Sequence, residues 1–138
     1  MALLIEKAMT VDVSAAAQTI LDAATDEVTR QVRKLIGEGP LPGTPEWEAE
    51  AKDGTATDRQ LAHDLTSLRI ELSASLDPLP TVISLRRIGA TWELIARAAG
   101  VSRQAAHDRW GRKVLAILDR YGSGELGGPV ANDEADLT

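Results

Sequence analysis

The stretch TWELIARAAGVSRQAAHDRW, Thr91 to Trp110, decides how this chain is read. Thr91 is of a residue type that caps helices, and Glu93 falls in the first turn, where the helix dipole favours a carboxylate. Leu94, Ile95, Ala98 and Ala99 then give the helix a buried side. Gly100, Val101 and Ser102 supply, in order, a residue that accepts unusual backbone angles, an apolar plug and a new cap. A tight turn between helices crossing at roughly 90–120° needs those three things. Ala96 and Ala106 flank the turn and are small enough for the two helices to approach closely. The segment reads as a helix-turn-helix.

The neighbouring sequence extends this reading in both directions. TVISLRRIGA, residues 81–90, presents Val82, Ile83, Leu85 and Ile88 as the apolar face of a preceding helix that stops at Gly89. On the other side, Val114, Ile117 and Leu118 are expected to prolong the second helix and to pack on its predecessors, with part of a dimer seam as the alternative. Trp92 and Trp110 are expected in the core, wedged among the three helices.

Upstream, Ser14 to Ile36 carries Ala17, Leu21, Ala24, Val28 and Leu35 at three- and four-residue steps, with Gln31 in the same seam. This predicts a helix over 14–36. Thr10, Val11 and Val13 argue for a break before it, with Asp12 or Ser14 as the new cap. GEGPLPGTP, residues 37–45, has too many breakers for regular structure and predicts a connection. Thr44 and Pro45 then suit the start of a short helix over 47–52, with Trp47 expected in the core or at a partner contact. Thr57 and Gln60 have capping-box spacing. Leu61, Leu65, Leu68, Leu72 and Leu76 follow as an amphipathic helix ended by Asp77-Pro78-Leu79-Pro80. The two long helices form either an intramolecular hairpin or a surface that pairs with another subunit.

The fold expected is therefore all-α: a helical N-terminal region over 1–77, a three-helix module over 78–121 and a disordered acidic tail over 122–138. Low aromatic content, 3% with no Phe, also favours packed helices over a β-sandwich.

Charge divides along the same lines. The net charge is −6, but residues 1–80 carry −7, residues 81–121 carry +5 and residues 122–138 carry −4. A basic segment between acidic flanks is the pattern of one short element meeting phosphate while the rest does other work.

The GVSRQAA turn and following helix, with a Trp-bearing helix before them, resemble the helix-turn-helix of small actinobacterial and phage regulators. The resemblance covers about residues 80–120. It implies a second helix that enters the major groove of duplex DNA, presenting Ser102, Arg103, Gln104 and His107 outward. The chain departs from the pattern at Arg109, where many members carry a large aliphatic residue and where Trp110 is the nearest apolar candidate. Arg103 and Gln104 are the leading base readers, since Arg matches the guanine edge and Gln the adenine edge. Ser102 suits a phosphate at the helix start. Arg86, Arg87, Arg97, Arg109, Arg112 and Lys113 are candidates for phosphate contacts. The function expected is sequence-specific double-stranded DNA binding by a transcriptional regulator. One such unit reads only a few base pairs, so a homodimer through helices in 14–76 is expected as well.

Other chemistry finds little support. Without cysteine there is no disulfide or thiolate metal site, and MALLIEKAM lacks a basic leader and is apolar for only a few residues before Glu6 and Lys7, so a soluble cytoplasmic protein is expected. His63 and His107 lack ligand spacing, and His63 reads as an exposed neighbour of Asp64. Glu46, Glu48 and Glu50 are spread around a helix rather than paired. No nucleotide-binding glycine loop or serine elbow is present, so neither enzyme activity nor a cofactor or metal is expected. The alternative is a protein-interaction adaptor or antitoxin-like factor whose N-terminal helices hold a partner.

Overall fold

A computed structural model of the chain describes residues 1–118. They form seven helices and no strand: α1 (Ala2–Thr10), α2 (Ser14–Ile36), α3 (Pro45–Asp53), α4 (Thr55–Ser73), α5 (Leu79–Arg87), α6 (Trp92–Ala99) and α7 (Arg103–Leu118). The all-α expectation holds among the described residues. The proposed tail over 122–138 lies outside them.

Local chemistry starts and stops these helices much as the sequence suggested. Asp12 Oδ1 accepts the Ser14 N–H at 2.9 Å, which restarts the chain as α2 after the break at Val11–Val13. Thr44 Oγ1 accepts the Trp47 N–H at 3.2 Å, and Pro45 occupies the first position of α3. The expected capping box at Thr57 and Gln60 does not form. Instead, α4 starts two residues earlier, after a left-handed Gly54, and Asp53 Oδ1 accepts the Thr55 N–H at 2.9 Å. At the other end, α4 stops before Leu76. Ser75 adopts φ 59°, and the Ser75 and Leu76 N–H groups bond back to the Leu72 and Glu71 carbonyls. That 6→1, 5→2 closure takes Leu76 off the helix face.

The main core is built by α4 to α7. Leu68, Val82, Leu85, Trp92, Ile95, Val114 and Leu118 are fully buried, with Leu61, Leu65 and Leu72 of α4 packed against them. Along α7 the buried line runs Ala106, Trp110, Val114, Leu118, one residue per turn. The expected packing role of Ile117 is corrected: it sits off that line and is 38% exposed.

Polar ties hold α5 against α4. Ser84 Oγ donates to Asp64 Oδ2 at 2.9 Å, and Thr81 Oγ1 donates to Glu71 Oε1 at 2.6 Å. The helix pair α2 and α4 runs antiparallel: His63, midway along α4, reaches the Gly37 carbonyl beyond the end of α2 at 2.8 Å, whereas Leu21 and Ala24, earlier in α2, line a cavity with Glu71 near the end of α4. The Gly37 contact corrects the reading of His63 as an exposed residue. Within α2, Val32 is the buried residue and Ala24, Val28 and Gln31 are half-buried, whereas the seam residues Leu21 and Leu35 stay exposed. Trp47 also stays 43% exposed. Every residue from 1 to 20 is exposed.

Candidate nucleic-acid interface

The candidate surface lies around the connection between α6 and α7. Thr91 Oγ1 accepts the Leu94 N–H at 3.1 Å and satisfies one of the free donors at the start of α6. The helix ends on Gly100 in the left-handed region, φ 73° and ψ 29°. Two bonds close the end: Gly100 N–H to the Arg97 carbonyl at 3.3 Å and Val101 N–H to the Ala96 carbonyl at 3.1 Å. This is a Schellman closure, with the following apolar residue, Val101, packed onto the core. Ser102 then starts α7, its Oγ accepting the Ala105 N–H at 3.1 Å. Ala96 and Ala106 are both buried.

Ser102 and the six α7 residues named in the sequence reading separate into outward and held groups. Ser102, Gln104, Arg109, Arg112 and Lys113 are exposed, whereas Arg103 and His107 are half-buried. The His107 imidazole stands edge-on to Trp92, ring centres 5.5 Å apart. It also lies over Gly111, where a Cβ would come within 3.1 Å of the ring. His107 is thus packed between an indole and a helix backbone, and base reading would require it to leave both. Gln104 Nε2 donates to Asp108 Oδ1 at 2.8 Å one turn on. Asp108 is the residue that sequence reasoning passed over. Its spacing of four from Gln104 was the available signal, and a carboxylate on the outward stripe suits a cytosine amino group while repelling phosphate.

Trp110 is 4% exposed and fills the position that the Arg109 departure left in question. The Arg109 guanidinium turns outward and stacks over the Trp110 ring, 5.4 Å from its centre.

Among the phosphate candidates, Arg86 is corrected. Its side chain is fully buried, its guanidinium lies 4.8 Å from the centre of the Trp92 ring, and Nη1 donates to the Ala90 carbonyl at 2.8 Å. The helical spacing places Arg86 inward and Arg87 outward, and periodicity alone gave no reason to bury an arginine. Arg87 and Arg97 are exposed in the last turns of α5 and α6. Among the described residues, no cluster of His, Cys, Asp or Glu has metal-binding geometry, and no helix is long and apolar enough to cross a membrane. Comparison with protein-family models, curated proteins and solved structures finds no match to this chain.

Proposed function

We propose that this protein binds double-stranded DNA in a sequence-specific manner, using α6 and α7 as a helix-turn-helix with α7 in the major groove, and acts as a regulator of transcription in two copies. The observation that carries this reading is the capped α6–α7 junction. A rigid turn ends on an exposed serine at the start of a helix whose outward side chains are Gln104, Asp108, Arg109 and Arg112. Ser102 and the first N–H groups of α7 suit a phosphate, while Gln104 and Asp108 suit base edges. Arg87, Arg97, Arg109, Arg112 and Lys113 supply exposed positive charge within a basic segment.

Selection of bound duplexes from a random pool tests the reading. The expected result is an enriched site, with log Kd rising linearly with log salt and Gln104→Ala relaxing preference at one position. No enrichment and no binding at low salt would reject it. A second reading, a protein-interaction adaptor, draws on the exposed apolar residues of α1 and α2. It predicts partner binding that survives loss of the α7 charges.

A further inference from the structure

The first 21 residues hold an apolar surface that the described protomer does nothing to cover. In α1, Leu3, Leu4 and Met9 are 70–81% exposed and Ile5 is 57% exposed. A nine-residue helix without tertiary packing is marginal in water. Leu4, Ile5, Ala8 and Met9 fall on one side of it, with Lys7 at one margin and Glu6 at the other.

The same chain also holds a groove of complementary chemistry. Between α2 and the end of α4 lies a cavity of about 370 Å³ whose lining includes Leu21, Val28, Leu76 and Pro80, with Glu71 and Asp77 on its acidic side. Burial, and then the neighbouring Asp77 and Asp64 carboxylates, hold the Glu71 carboxyl above its ordinary range, although Thr81 donates to it. Lys7 is the only basic residue before Arg30, and among the described residues it makes no ion pair.

We infer that α1 of one copy seats in the α2–α4 groove of a second copy, with Leu4, Ile5 and Met9 entering the apolar part and Lys7 meeting Glu71 and Asp77. Each protomer carries one arm and one groove, so a reciprocal exchange about a two-fold axis fills both and closes the assembly. The inference rests on the two-copy reading above and gives it a surface. That surface is α1 with the groove, because the α4 leucines expected to pair subunits are already used by the protomer's own core.

Sedimentation of the full chain over a wide concentration range, without DNA, tests this. A monomer–dimer equilibrium is expected, weakened ~10-fold or more by Ile5→Glu and by Lys7→Glu, and restored in the Lys7→Glu chain by Asp77→Lys. All three positions are exposed, but Asp77 Oδ1 also accepts the Leu79 N–H at 3.0 Å where α5 starts, so an unchanged far-UV spectrum of each variant accompanies the test. A chain that stays monomeric would overturn the inference, as would a dimer indifferent to either α1 substitution or a charge swap that restores nothing. A monomer that still selects a duplex would sink the arm exchange alone. A dimer that ignores DNA would sink the DNA-binding reading alone.

Discussion

The Arg86 guanidinium lies 4.8 Å from the centre of the Trp92 ring, and both side chains are fully buried. The pair ties the end of α5 to the start of α6, while Arg86 Nη1 holds the Ala90 carbonyl in the connection between them. Arg86→Ala removes a desolvated cation–π contact and a charged hydrogen bond, and opens a cavity. A loss of about 2–4 kcal/mol is expected in urea unfolding. The neighbouring exposed Arg87→Ala should stay within about 0.5 kcal/mol. Equal losses at the two positions would contradict the buried role.

Gly100 has open space where a Cβ would go, so only its positive φ demands glycine. Gly100→Ala is expected to cost about 1–2 kcal/mol through left-handed strain, and Gly100→Asn less, since asparagine tolerates that region. Thermal unfolding of the two variants side by side checks this ranking.

Glu71 links stability to pH. Its folded pKa stands above its ordinary value of 4.5, so the ionised group is less favourable in the folded chain than in the unfolded one. That penalty is fully present above the raised folded pKa, shrinks as pH falls through it, and is gone below 4.5. Glu71→Gln can still accept from Thr81. At protein concentrations that keep the chain monomeric, it should melt above the parent at pH ~7 and converge with it by pH ~4.5. A gap that widens on acidification would contradict the assigned direction.

On α7, exposed charges of opposite sign make opposite predictions. Arg112→Ala should weaken duplex binding about equally across sequences and reduce the salt slope by about one. Asp108→Asn should strengthen binding to unrelated duplex by removing a repulsive carboxylate, while altering preference at the base that Gln104 and Asp108 share. Kd values measured at several salt concentrations on a selected and a scrambled duplex separate the two effects.

By itself, the sequence determined the features that depend on near neighbours. Thr91, Gly100 and Ser102 act through bonds to residues within five positions, so the boundaries of α6 and the start of α7 were legible from residue types and spacing. The span of α2 and the breaks after Ile36 and before Leu79 were legible for the same reason. Only the tertiary structure decided which side chains are covered, because that depends on what lies across from each helix. Arg86 is buried because it packs against Trp92, and Val32 is buried in place of Leu21 and Leu35 because it lies against the stretch 60–67 of α4. Periodicity marks an apolar face but not the length of it that a neighbour covers. The α4 leucines therefore belong to the core of this protomer, and the open apolar surface lies in α1 and the first turns of α2.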